Sequence, residues 1–220
     1  MEKSEIKGFI ARRVAKEFCF GDVVNLGIGI PTLIPSFLSP EMEITIQAEP
    51  GIIGSGPQPQ EKEDVPMYKV IDAGGNPSSI NIGGSFVDSS ISFGMIRGGH
   101  IDCTVLGALE VDEEGNLSNW IIPDKKLPGM GGAMDLVVGA KKVIIAMEHT
   151  VKGKPKILKK CCLPFTAVNC VNLIITEMGV MKVTPQGLVL LEYNPEYTIA
   201  QIQAVTEAKL NISANLIEML

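Results

Sequence analysis

Glu43-Ile-Thr-Ile-Gln-Ala-Glu49-Pro-Gly-Ile-Ile-Gly54 is the stretch on which the reading of this chain turns. Ile44 and Ile46 alternate with Thr45 and Gln47, the two-residue period of a strand over 43–48, and Pro50-Gly51 stops it. The strand therefore brings the carboxylate of Glu49 to its C-terminal end. Open α/β sheets bind ligands in the crevice beyond the carboxyl ends of their strands. Gly51, Gly54 and Gly56 have no side chains, so a bulky substrate can approach the backbone there. A carboxylate in such a place can serve as a covalent nucleophile. The competing reading is a solvated turn glutamate, and the stretch alone leaves both open.

Working outward, Ile6, Phe9, Ile10, Val14 and Phe18 recur at helical spacing with basic residues between them, which predicts an amphipathic helix over 4–19. Asp22 to Leu26 reads as a short buried strand, and Gly27-Ile-Gly-Ile-Pro31 turns it into a second helix over 31–38. Residues 54–66, rich in proline and charge, read as a surface loop. Lys69 to Asp72 is a short strand running into a turn at 73–77. Phe86 to Met95 reads as a helix, Ile101 to Ala108 as a buried strand, and Glu110 to Trp120 as a hairpin around Glu114-Gly-Asn116.

Lys142 to Met147 and Leu173 to Thr176 are apolar runs suited to a parallel sheet covered on both faces. Gly187 to Glu192 continues that pattern, and Thr198 to Lys209 closes with a helix. Strands alternating with helices and glycine-rich connections predict one α/β domain over 1–220, a mostly parallel central sheet flanked by helices with some antiparallel additions.

Composition removes several function classes. Of 220 residues, 45% are hydrophobic and 20% charged, which excludes disorder. A net charge of −6 argues against nucleic acid, which demands clustered Lys and Arg. The local exception, Lys152 to Lys160, is either a solvated loop or an electrostatic contact for a phosphorylated ligand. No apolar run approaches the ~18 residues of a membrane-spanning helix. The five cysteines, Cys19, Cys103, Cys161, Cys162 and Cys170, are odd in number and lack CxxC spacing. With no signal peptide in view, they fit a reducing cytoplasm. Two histidines, His100 and His149, give a zinc site little support, so no metal is expected.

The standard motifs fail in informative ways. Gly27-Ile-Gly29 lies between a strand and a helix, but Thr32 stands where the dinucleotide fingerprint needs its third glycine and Pro31 occupies the turn. Such a turn still suits an anion or an acyl oxygen. Ser85 in Gly83-Gly-Ser-Phe-Val87 lacks the second glycine of a nucleophile elbow, and no phosphate-binding Walker loop is present. Gly129-Met-Gly-Gly132, before Ala133-Met-Asp135, is a second glycine-rich loop entering a helix. It either offers backbone N–H groups to an oxyanion or is a close-packed turn. His100, before the 101–108 strand, either binds a ligand or satisfies a backbone group.

In this order the segments resemble the β subunit of family I coenzyme A transferases, in the group of bacterial two-subunit acetate, butyrate and acetoacetate transferases. The match is carried by Val24-Asn-Leu-Gly-Ile-Gly-Ile-Pro-Thr32, Gln47-Ala-Glu-Pro-Gly51, Ile96-Arg-Gly-Gly-His-Ile-Asp102 and Thr104 to Asp112. It continues through Gly115 to Ile121, Pro128-Gly-Met-Gly-Gly-Ala-Met-Asp-Leu136, Gly139 to Met147 and Lys152 to Ile157. The resemblance implies a coenzyme A transferase fold and makes Glu49 the catalytic nucleophile of a ping-pong reaction through a glutamyl-CoA thioester. It implies Gly27, Ile28, Gly29, Ile30 and Pro31 along the CoA-side crevice, with the Gly131 and Gly132 amides as candidate oxyanion donors.

CoA is then a substrate, and no permanently bound cofactor is implied. The implied partners are an α subunit, in an α2β2 assembly or a multiple, and acyl-CoA with short-chain carboxylates. Two rivals stand beside this reading: an acyl-CoA hydrolase of the same fold, and a non-catalytic partner subunit. One departure bears on the second, since Pro50 stands where the family usually has Asn and removes a backbone donor.

Overall fold

Short strands rich in Val, Ile and Leu set the centre of the molecule. The computed structural model describes residues 2–57, 70–72, 74–75, 77–123 and 129–219. Its strands, in chain order, are β1 (Val23–Leu26), β2 (Thr45–Ala48), β3 (Ile52–Ser55), β4 (Ile80–Phe86), β5 (Cys103–Leu106), β6 (Glu110–Asp112), β7 (Leu117–Ser118) and β8 (Lys142–Ala146). They continue with β9 (Thr150–Val151), β10 (Lys154–Pro155), β11 (Ile157–Leu158), β12 (Leu173–Ile175), β13 (Gly179–Thr184), β14 (Gly187–Tyr193) and β15 (Leu210–Glu218). Four α-helices are described: α1 (Lys3–Ala15), α2 (Ser89–Arg97), α3 (Ala133–Gly139) and α4 (Ile199–Ala204).

Among the described residues, ten strands form one sheet in the order β15-β14-β13-β12-β8-β5-β1-β2-β3-β4. Its middle, β12-β8-β5-β1-β2, is parallel throughout. β5 and β12 are buried at every position, as strands covered on both faces must be. Antiparallel strands extend the sheet on both sides, β3 and β4 beyond β2 and β13 and β14 beyond β12, with β15 again parallel to β14.

Two apolar layers sandwich the sheet. On one face Ile10, Ala11 and Val14 of α1 and Ile30 and Ile34 of a 3-10 helix pack over Val24, Val105, Ile144 and Ile175. On the other, Ile96 of α2 and Leu136 and Val137 of α3 pack over Val143, Ile145 and Ile174, together with the small β11-β6-β7 sheet. At ~25 cal/mol per Å² of apolar surface, these layers hold the strands that end at the site. Two ion pairs pin the α1 layer to the sheet, Arg13 of α1 to Glu192 of β14 and Glu17, just past α1, to Lys142 of β8, and Arg13 also pairs locally with Glu17.

Several sequence expectations need correction. The second helix is a 3-10 helix, Ile30–Phe37, because Pro35 inside it lacks the N–H an α-helix would use. Phe86 ends β4, and α2 begins at Ser89, where the Asp88 carboxylate caps the Ile91 N–H. Gly54 and Ser55 belong to β3; residues 58–66 of the expected loop lie outside the described residues. So do Lys69 of the expected 69–72 strand, where Ile71 instead forms an isolated bridge to Pro77, and Ala73 and Asn76 of the turn.

The C-terminal helix stops at Ala204, and a nine-residue strand follows. β14 pairs antiparallel with β13 rather than continuing the parallel run. The lysine run 152–160 holds β10 and the buried β11, so it is not a simple loop.

Candidate active site

Glu49 sits where the sequence places it, one residue past the end of β2, and the structure supplies its surroundings. Ala48-Glu49-Pro50-Gly51 is a tight turn closed by the Gly51 N–H donating to the Ala48 carbonyl at 3.0 Å, and β3 returns antiparallel from it. Gly51 is required there: its φ is +127°, and a Cβ would lie 2.1 Å from the Val87 carbonyl oxygen. That contact presses the turn against the segment leading into α2. Pro50 is at the exposed tip, and the turn bond does not use the N–H it lacks.

Beneath Glu49 lies a buried polar layer. Thr104 of β5, Asn25 of β1 and Gln47 of β2 stand in register across three parallel strands. All three are buried, as is Ser92 of α2 above them. The Asn25 Nδ2 donates to Gln47 Oε1 at 2.8 Å and to Glu49 Oε2 at 3.2 Å, with the Gln47 carbonyl also at 3.2 Å. Gln47 Nε2 donates to Ser92 Oγ at 2.8 Å. Thr104 Oγ1 faces Asn25 Oδ1 at a longer 3.5 Å. Strand alternation puts Gln47 and Glu49 on one face, so this layer supports the carboxylate directly. Among the described residues, the other oxygen of Glu49, Oε1, takes no hydrogen bond.

Beside Glu49 lies the glycine loop that precedes α3. Gly132 is buried so tightly that a Cβ there would be 3.3 Å from Glu49 Cγ and 3.2 Å from the Phe93 ring. Gly131 is exposed, with φ +55° and open space around it. The two residues read as oxyanion donors therefore differ: Gly132 is brought against the carboxylate, and Gly131 faces outward. Arg97 stacks over the Phe93 ring and pairs with Asp135 of α3, fixing α2 to α3 around this corner.

The Gly27–Pro31 segment divides in the same way. Gly27 extends the β1–β5 ladder, its N–H donating to the Val105 carbonyl at 2.8 Å, so that amide is not free for a ligand. Ile30 and Pro31 are buried in the 3-10 helix, while Ile28, 66% exposed, and Gly29 are open to solvent just past the carboxyl end of β1. A groove of about 930 Å³ also opens under the 3-10 helix, lined by Leu26, Ile46 and Ala48, on the face of β1 and β2 opposite Asn25 and Gln47. His100 is not brought to Glu49: it follows α2 at the amino-terminal edge of β5. Asn25, Gln47, Ser92 and Thr104 were missed as site residues. The available signal was polar residues inside otherwise apolar strands, at the parity of Glu49.

A half-buried carboxylate thus stands at the carboxyl edge of the parallel sheet of an α/β domain, beside a glycine loop, with Oε2 held by Asn25 and Oε1 taking no hydrogen bond among the described residues. The coenzyme A transferase family model matches residues 9–204, and the chain belongs to that family. It is 49% identical over 214 residues to the acetate CoA-transferase β subunit of Haemophilus influenzae, covering 97% of this chain and 95% of that one. It is 46% identical over 210 residues to the rat mitochondrial succinyl-CoA:3-ketoacid coenzyme A transferase 2A, of which the match covers only 40%. Among solved structures, the acyl-CoA transferase YdiF of Escherichia coli O157:H7 superposes with a TM-score of 0.79 at 22% identity. That superposition covers 98% of this chain and 43% of the solved one, and it speaks for the fold. Among the described residues no helix is long and apolar enough to cross a membrane, and no cluster suited to a metal ion occurs.

Proposed function

We propose that this chain is the β subunit of a short-chain acyl-CoA:carboxylate CoA-transferase of the acetate, butyrate or acetoacetate class, with Glu49 as covalent nucleophile. The observation that carries the reading is the asymmetry of the Glu49 carboxylate: Oε2 is held by Asn25 and Oε1 is unengaged among the described residues. Oε1 attacks the thioester carbon of the donor acyl-CoA, and the C–S bond breaks to give an acyl-glutamyl anhydride and CoA thiolate. The thiolate attacks the glutamyl carbon, the donor acid leaves as its carboxylate, and a glutamyl-CoA thioester remains. The acceptor carboxylate reverses both steps.

A carboxylate and a thioester are exchanged at each end, so the reaction needs neither ATP nor a resident cofactor. During attack on the glutamyl carbon, charge grows on Oε2, where the Asn25 N–H already points. The Gly131 and Gly132 amides are the proposed donors for the oxyanion of the substrate, and loss of one such donor typically costs ~10²–10³ in rate. Ile28 and Gly29, just past the carboxyl end of β1, are the part of the 27–31 segment available to CoA. An α subunit completes the site, in an α2β2 complex or a multiple of it, in the cytoplasm.

The test is to incubate the purified α–β complex with acetoacetyl-CoA or butyryl-CoA without acceptor and to read peptide masses. A CoA adduct on the peptide that contains Glu49, absent in Glu49→Gln, is the expected result. No adduct from an assembled complex with either donor would overturn the reading. Continuous release of free CoA without acceptor would instead mark a hydrolase.

A further inference from the structure

We infer that Gln47 and Ser92 are positioning residues for the nucleophile, acting through the Asn25 amide; the inference rests on the reading of Glu49 given above. The hydrogen-bond directions can be worked out from obligate acceptors. Asn25 faces the Gln47 backbone carbonyl and the Glu49 carboxylate, neither of which can donate. Its amide must therefore turn the NH₂ toward them. That orientation compels Gln47 to present Oε1 to Asn25, and its own NH₂ then reaches Ser92 Oγ. One polarity runs through the whole set, from Glu49 to α2: rotating the Asn25 amide by 180° would set acceptor against acceptor, and rotating the Gln47 amide would set its NH₂ against that of Asn25.

Gln47 holds the direction of Asn25, because without its Oε1 the Asn25 amide loses its shortest partner at 2.8 Å. Ser92 holds the direction of Gln47 from a different layer of the fold. The neighbouring residue on α2, Phe93, is the one whose ring lies against Gly132. One helix thus fixes both the floor under Glu49, through Ser92, and the wall beside it, through Phe93. A carboxylate on a turn would otherwise sample several rotamers, and reaction rates are sensitive to displacements of about 1 Å, which can cost ~10²-fold. The side chains of Asn25, Gln47 and Ser92 are all buried away from bulk water.

The experiment uses the α–β complex with Gln47→Met, which keeps volume and removes both bonds, and with Ser92→Ala and Ser92→Thr. Single-turnover formation of the glutamyl-CoA thioester should slow by about 10- to 100-fold in Gln47→Met, and by a smaller factor in Ser92→Ala. KM for acyl-CoA should stay within about threefold, and Ser92→Thr should recover most of the rate. Asn25→Ala combined with Gln47→Met should cost little more than Asn25→Ala alone, since both act on one contact.

Rates per folded complex equal to wild type in both Gln47→Met and Ser92→Ala, or additive losses with Asn25→Ala, would overturn the positioning role. If Gln47→Met does not assemble, the Ser92 pair carries the same test. The nucleophile reading is judged separately: a Glu49→Gln complex that still transfers CoA would sink that reading itself, whereas a normal Glu49 adduct formed at wild-type rate in Gln47→Met would remove only the positioning role.

Discussion

Two polar clusters lie at the same carboxyl edge of the sheet and are built to opposite ends. One is Glu49 with Asn25, Gln47 and Ser92, beyond β1 and β2. The other is His149 with Thr176, Glu177 and Thr206, beyond β8 and β12. His149 is fully buried and every polar atom of its ring is matched. Thr206 Oγ1 donates to the Ile202 carbonyl at 2.8 Å, so it accepts from His149 Nε2–H. Nδ1 then accepts from Thr176 Oγ1, whose oxygen takes the Met178 N–H. The ring is held as one neutral tautomer, and burial, with Lys156 nearby, pushes its pKa down to about 4.

The Glu49 cluster has equally buried supports but ends in a half-buried carboxylate with one oxygen unengaged among the described residues. A closed network contributes stability and specifies packing. A network left open at one atom can do chemistry there.

The sharpest way to break this contrast is Glu49→Gln, expected to reduce CoA transfer by at least ~10³-fold while leaving the melting temperature of the complex unchanged within error. Comparable activity would place the open cluster with the closed one, as structure only. Gly132→Ala is next: its Cβ would press on Glu49 Cγ and Phe93, and kcat should fall by about 10- to 100-fold with little loss of stability. Steady-state kinetics beside a thermal melt separate the two effects.

His149→Leu should do the reverse, costing about 2–4 kcal/mol by removing the acceptor of the buried Thr176 hydroxyl and the donor to Thr206 Oγ1, with kcat per folded complex unchanged. Denaturant titration checks this, and a selective loss of kcat would mean the closed cluster also serves the reaction. A pH series sharpens the same point. His149 binds its proton more weakly folded than unfolded, so its contribution is complete above about pH 6.5 and is lost as pH falls toward about 4. The loss is on the order of 3 kcal/mol. Glu177, raised by burial, opposes it, since its neutral form favours the fold at low pH; Lys156 and Glu148 are the other charges facing the pair. Denaturation midpoints of wild type and His149→Gln should diverge across that window, and parallel curves would refute the assignment.

The smallest effect is expected of Pro50→Asn. The residue is at an exposed tip whose turn bond it does not make, so kcat should move by less than about threefold. A tenfold rise would show that the proline restrains the open cluster.

The Val- and Ile-rich segments at 23–26, 103–106, 142–146 and 173–175 made the parallel centre readable, because strands buried on both faces leave mostly apolar sequence, interrupted here by Asn25 and Thr104. The outer strands were less legible. β4 is Ile-Asn-Ile-Gly-Gly-Ser-Phe and β15 alternates with polar residues; edge strands lack the apolar signal and borrow their order from a neighbour.

The sequence alone determined that Glu49 stands at the end of a strand, since period and turn chemistry are local. It could also determine that Gln47 shares its face. Only the tertiary structure decided that Asn25, 24 residues earlier, and Ser92, 45 residues after Gln47, meet beneath that carboxylate. Strand register and helix packing are collective outcomes of burying both apolar layers, and no local window encodes them. The same holds for Gly131 and Gly132, adjacent in sequence, of which packing against Phe93 buries one and leaves the other facing out.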